Sequence, residues 1–137
     1  MVINHKKLND ITVFDGYYIL NKIVLFNKMQ RDSWFSKMDC KSRYWQIRMD
    51  EESIHLTAFS APQGHYEWIV MSFGLKKAPQ IFQKRMDNIF KDLNHCCLLY
   101  IEDILVFSKT IEQHKDDALA VTQRCIDYSI ILRKRQV

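Results

Sequence analysis

Glycine and proline are scarce, three and two among 137 residues, which leaves little room for linkers. No apolar run approaches the ~20 residues a bilayer span needs, and the N-terminal lysine pair has no signal-peptide core behind it, so no membrane association is expected. No segment repeats and none is of low complexity. Charge is not dominated by one sign: 20 Lys and Arg against 16 Asp and Glu give +4, which permits a polyanionic partner without demanding one. The cysteines Cys40, Cys96, Cys97 and Cys125 show neither a CxxC spacing nor a Cys/His ladder. Buried free thiols in a reducing, intracellular compartment, cytoplasm or nucleus, are therefore expected rather than zinc ligands.

What is present is an ordinary globular composition, 47% hydrophobic and 26% charged, enough for one moderate core. Residues 22–30 place Ile23, Phe26, Asn27 and Gln30 at helical spacing. Residues 34–38 read as a buried strand ending at Asp39, and the alternation of Trp45, Ile47 and Met49 reads as a half-buried strand. Asn9-Asp10 and Asp15-Gly16 suggest turns. A hairpin is expected from strands over 57–60 and 65–71 around Ala61-Pro62-Gln63-Gly64. Pro79 opens a helix whose apolar stripe is Ile81, Phe82, Met86, Ile89, Phe90 and Leu93. Strands over 96–100 and 104–107 hinge at Glu102-Asp103. Thr110 with Gln113 is a capping-box pattern opening a helix to about Asp127, and Ile130-Ile131-Leu132 can begin another strand. The order predicts an α+β fold, an antiparallel sheet carrying helices on one face.

Asp39 and the pair Glu102-Asp103 each interrupt apolar, strand-like sequence. An ionised carboxylate there costs several kcal/mol unless it is paired. Neutralisation by Arg or Lys is one answer; a hard divalent cation held by oxygen ligands is the other, and its usual chemistry is phosphoryl transfer. Adjacent acids also make a poor hairpin bend, which wants Asn-Gly or Asp-Gly. Lys76-Lys77, Lys84 and Arg85 near a helix start could meet phosphates, although for the charges alone a solvated helix face is the better explanation.

The run Phe35-Ser36-Lys37-Met38-Asp39-Cys40-Lys41-Ser42-Arg43-Tyr44-Trp45-Gln46-Ile47 resembles the first catalytic motif of reverse transcriptases from long-terminal-repeat retrotransposons and plant pararetroviruses. Met71-Ser72-Phe73-Gly74-Leu75-Lys76-Lys77-Ala78-Pro79 is similar to the second, and Tyr100-Ile101-Glu102-Asp103-Ile104-Leu105 to the Tyr-x-Asp-Asp motif. The wording is nearest to badnavirus-like and caulimovirus-like polymerases, and the resemblance spans essentially the whole chain. It implies a right-hand polymerase without its thumb: fingers at about 1–33 and 50–72, palm at about 34–49 and 73–137. It further implies RNA-directed DNA polymerisation with two Mg²⁺ ions, or Mn²⁺ in their place, held by Asp39, Asp103 and Glu102. Cys40, counted with the nucleotide-binding residues, would help hold the nucleotide-associated metal through its carbonyl. Tyr44 would be the steric gate against ribonucleotides, and Phe73 and Gly74 would line the pocket. Lys41, Lys76, Lys77, Lys84 and Arg85 would face template–primer. The implied partners are template–primer RNA or DNA, a dNTP, and the thumb and ribonuclease H regions of a parent polyprotein.

Several residues depart from that pattern. Glu102 stands where the family has Asp, one methylene longer and so displaced by about 1.5 Å, and misplacement of that order can cost ~10²-fold. Ser72 replaces a Pro and is expected to loosen the pocket loop. Arg43 replaces a Gly and would be strained if that position needs positive φ. Leu20 also replaces a Pro. Met1 and Val137 fall inside the family's usual limits, so the reading is of a fragment with weak or no activity. The alternative is a non-catalytic nucleic-acid-binding or decayed remnant of an integrated viral element.

Overall fold

A computed structural model describes residues 3–13, 16–19 and 21–133. Leu20 lies outside the described residues, as does Asp15 of the expected Asp15-Gly16 turn. The chain forms two compact units, one from residues 1–17 and 42–82, the other from 18–41 and 83–137. No helix among the described residues is long and apolar enough to cross a membrane.

The second unit is built on a three-stranded antiparallel sheet of order β1-β5-β4, with β1 Trp34–Asp39, β4 Cys97–Tyr100 and β5 Asp103–Ser108. β5 is central, and its Ile104 and Val106 are 0% exposed. Alternation sends Ile104, Val106 and Ser108 to one face, where α4 (Ile111–Asp127) packs with Val121 and Cys125 buried. Thr110 caps α4 by accepting from the Gln113 amide, as the sequence predicts. The opposite face carries Leu98, Leu105 and Phe107, which pack with Leu25 and Met29 at the short helix α2 (Lys22–Asn27). Leu132 bridges to Cys40, extending the sheet as Ile130-Ile131-Leu132 suggests.

β1 is not the buried strand expected from its sequence. It lies at the sheet edge, and Trp34 and Phe35 are 44% and 55% exposed. Apolar composition marks a strand, but it does not say which strand gains neighbours on both sides.

The first unit holds α1 (Lys6–Ile11), a 3₁₀ turn at Arg43–Gln46, another at Glu51–Thr57, and the hairpin β2–β3 (Phe59–Ala61, Gly64–Tyr66). Three expectations need correction here. Asn9-Asp10 lies within α1 rather than in a turn, because the Asn9 side chain is spent on distant backbone, donating to Gly74 O at 2.7 Å and accepting from the Lys76 amide at 2.8 Å. The strand expected over 45–49 begins as the 3₁₀ turn, with Ile47 N bonded to Tyr44 O at 3.1 Å; only Arg48 makes a strand-like bridge, to Val70. Thr57 ends a 3₁₀ segment, its hydroxyl accepting from Trp68 N at 2.8 Å. The helix α3 (Ala78–Ile89) starts beside Pro79 and buries Phe82, Met86 and Ile89.

Candidate catalytic site

The register of β1 against β5 sets Asp39 directly opposite Asp103. One is the last residue of its strand and the other the first, so both carboxylates project from the same end of the sheet. Between them stands the Lys37 ammonium, its Nζ 3.7 Å from Asp39 Oδ1 and 3.2 Å from Asp103 Oδ1. Lys37 alternates out of the sheet on the same side of β1 as Asp39, and so can reach both acids. Asp39 Oδ1 is shielded from water and finds no hydrogen-bond donor among the described residues.

The electrostatics match that crowding. Withdrawal from water holds the Asp103 carboxyl above its ordinary 3.8, Asp39 pushes the same way, and Lys37 opposes both. Lys37 is pushed up in turn, first by its hydrogen bond to Asp103. Two like charges facing each other across the ladder make this end of the sheet locally negative, offset in part by Lys37.

Glu102 does not complete a trio. Its side chain is exposed, and Asp39, Glu102 and Asp103 do not form one of the close three-ligand groups among the described residues. Glu102 does contribute its backbone, accepting from Cys40 N at 2.9 Å. The bend also lies one residue earlier than the expected hinge: Ile101 and Glu102 form the turn, and Asp103 already begins β5. Ile101 has φ 52, where a β-branched residue is strained and Gly is favoured.

Gln83 holds that strained bend. Its Oε1 accepts from Ile101 N at 2.7 Å and its Nε2 donates to Leu99 O at 3.1 Å, with the side chain 4% exposed. Sequence reasoning missed Gln83; the available signal was a polar residue in the apolar stripe between Phe82 and Met86. Lys41, Lys84 and Arg85 are exposed.

Within the other unit, Tyr44 is 5% exposed, its ring 5.1 Å from Phe73 and 5.9 Å from Phe82. Gly74 has φ 90, a left-handed position that suits glycine alone. Ser72 does not loosen this loop. It is 2% exposed and its Oγ lies 2.8 Å from Nε2 of the buried His5, a cross-chain tie that a proline could not make. Nor is Arg43 strained: the positive φ of 49 falls on Ser42, while the Arg43 guanidinium stacks 4.6 Å from the Tyr44 ring centre and 5.3 Å from that of Phe73. Lys76 is tied down, its Nζ donating to Thr12 O at 3.1 Å; Lys77 is half-buried.

The four cysteines are free and buried. Burial pushes Cys40 and Cys97 up to about 12 and Cys96 and Cys125 up to about 11, so all four remain thiols at neutral pH.

The sequence and the fold have counterparts among known proteins. A family model described as reverse transcriptase (RNA-dependent DNA polymerase) covers residues 1–135. The enzymatic polyprotein of soybean chlorotic mottle virus is 49% identical over 138 residues, and that of cauliflower mosaic virus (strain Strasbourg) 46% over 136; each alignment takes in 99% of this chain and 20% of the relative. Polyprotein P3 of Commelina yellow mottle virus is 46% identical over 96% of this chain and 7% of its own length. The chain thus spans about a fifth or less of these relatives. Among solved structures, the foamy viral protease–reverse transcriptase aligns with TM-score 0.89 in its double-stranded DNA complex, over 96% of this chain and 23% of that one. Its RNA/DNA hybrid complex aligns with TM-score 0.88 over 96% of this chain and 18% of that one; at 18% identity both likenesses speak to fold alone. An α+β fold, a family model running nearly end to end, and pararetroviral relatives at close to half identity agree: this chain belongs to the reverse transcriptase (RNA-dependent DNA polymerase) family.

Proposed function

We propose that this chain carries the nucleotidyl-transfer centre of an RNA-directed DNA polymerase, with Asp39 and Asp103 as its divalent-cation ligands. The observation that supports this most is the opposed acid pair with the Lys37 ammonium between its oxygens. A cation is already drawn to the place where Mg²⁺ or Mn²⁺ would bind, and the donors are hard oxygens suited to those ions. Bound there, a divalent pair supplies activation of a primer 3′-hydroxyl and charge neutralisation at the leaving pyrophosphate.

The chain's own residues do the rest. Lys37 withdraws as the ions enter, and Gln83 keeps Asp103 at the head of β5. Tyr44, Phe73 and Gly74 receive the incoming dNTP, with Tyr44 excluding the ribose 2′-hydroxyl; the Cys40 carbonyl would help hold the nucleotide-associated metal. Lys41, Lys77, Lys84 and Arg85 contact template–primer phosphates, and Lys76 joins them on leaving Thr12. Residues 1–33 and 50–72 act as fingers and 34–49 and 73–137 as palm, working with thumb and ribonuclease H regions of a larger polyprotein. Glu102, exposed and longer than Asp, lowers the rate.

Single-nucleotide extension of a primed RNA template tests this reading. Mg²⁺- or Mn²⁺-dependent incorporation, abolished by Asp39→Asn and raised by Glu102→Asp, is the expected result. Absence of extension at high protein concentration, with thumb-bearing sequence restored, would overturn it. The failure of Glu102 to join the acid pair favours a second reading, a nucleic-acid-binding remnant without catalysis. That reading predicts salt-sensitive RNA or DNA binding that survives Asp39→Asn.

A further inference from the structure

His95 and Cys96 occupy the turn entering β4, and Asp117 lies on α4. One ligand atom from each falls within 4.8 Å of the other two, the sole such group of three among the described residues. We propose that His95, Cys96 and Asp117 bind a borderline-soft divalent cation, Zn²⁺ by preference, which staples the start of β4 to α4.

The donor set decides the ion class. One sulfur, one imidazole nitrogen and one carboxylate oxygen form a mixed set that Zn²⁺ accepts and Mg²⁺ does not. Bonds of about 2.3 Å to sulfur and about 2.0–2.2 Å to nitrogen and oxygen place tetrahedral ligand atoms roughly 3.3–3.7 Å apart. With every separation within 4.8 Å, the ligand atoms have to close by at most about 1.5 Å, within reach of side-chain rotation at the exposed His95. That exposure also opens the route of entry and leaves the fourth position to water.

The site is supported from behind. Ser108 Oγ donates to Asp117 Oδ2 at 2.6 Å, His114 Nδ1 lies 3.2 Å from the same Oγ, and Ser36 Oγ lies 2.7 Å from His114 Nε2. Asp117, Ser108 and His114 are all buried, so this network fixes the carboxylate's orientation, as partners behind metal ligands commonly do. Cys96 Sγ donates to Leu93 O at 3.5 Å, a weak bond that coordination would replace. Coordination replaces its S–H bond with a sulfur–metal bond, and the proton leaves to water. No CxxC or Cys/His ladder announces the site, because Asp117 arrives from a helix distant in sequence.

Cobalt is the probe. Titrating the whole chain with Co²⁺ should give a near-ultraviolet thiolate-to-cobalt band that saturates at one equivalent, yields to Zn²⁺, resists Mg²⁺ and persists in Asp39→Asn. Cys96→Ser should abolish the band. His95→Ala, at an exposed position that leaves the fold intact, should weaken cobalt binding at least about tenfold, and it decides the matter should Cys96→Ser fail to fold. Absence of the band, displacement by Mg²⁺, or unchanged affinity in His95→Ala would overturn the proposal.

Discussion

Replacing Asp103 by Asn should stabilise the cation-free chain while removing its response to Mg²⁺. Asp103 faces Asp39 directly across the β1–β5 ladder. Its carboxyl is held above 3.8 despite the opposing Lys37, so desolvation and the Asp39 charge together outweigh the ion pair. Like charges directly opposed on neighbouring strands cost roughly 0.2–1 kcal/mol. The side chains of Asp39 and Asp103 are 41% and 26% exposed, so screening keeps the gain near ~0.5 kcal/mol. For a domain of this size that is about 2 °C in Tm. The pH dependence has a definite sign: a raised folded value favours the protonated carboxyl, so its stabilisation is complete below 3.8 and is lost as pH rises through the folded value. The gap between Asp103→Asn and the parent chain should therefore open above about pH 4. Thermal unfolding by circular dichroism in EDTA, from acid to neutral pH, measures it, and a second series in Mg²⁺ should raise the parent chain alone. An Asn variant less stable than its parent at neutral pH in EDTA, or equal gains in Mg²⁺, would refute the reasoning.

Four further outcomes follow from other parts of the fold. Gln83→Ala should cost about 1–3 kcal/mol in urea unfolding, because Ile101 N and Leu99 O lose their partner, and it should blunt the Mg²⁺ response by releasing the strained bend. Ile104→Ala, at a fully buried position, should cost about 2–5 kcal/mol by the same measurement. Ile126→Ala, 65% exposed, should stay within ~0.5 kcal/mol. Arg124 grips Asp92 through two bonds of 2.6 and 2.8 Å and holds its carboxyl down to about 2. The stability this provides is present above 3.8 and lost as pH falls toward about 2, so Asp92→Asn should flatten that stretch of the acid-unfolding curve.

The three-stranded sheet and the helices α3 and α4 were largely legible in the sequence because their signals are local. Val106 and Phe107 form an apolar run, Thr110 and Gln113 mark a cap, and Phe82, Met86 and Ile89 keep helical period. Asp39 and Asp103 could be paired in advance because each ends or begins such a run. The first unit read less well, since its conformations depend on bonds across the chain. Asn9 looks like a turn residue until Gly74 and Lys76 claim its side chain. Ser72 looks like a loosened proline site until His5 meets it. Trp45, Ile47 and Met49 alternate like a strand, yet the Ser42 and Tyr44 carbonyls wind the backbone into a 3₁₀ turn. Gln83 and Asp117 eluded the sequence reading for the same reason: each is one polar residue on a helix, and only the strand it meets gives it a task.

Nuclear magnetic resonance of the isotope-labelled chain with substoichiometric Mn²⁺ addresses the acidic pair without requiring turnover. Paramagnetic broadening should be strongest at the amides of Asp39, Cys40, Asp103 and Ile104 and should vanish in Asp39→Asn. Broadening centred elsewhere, or unaltered by that substitution, would contradict the assignment of Asp39 and Asp103 as the cation-binding carboxylates.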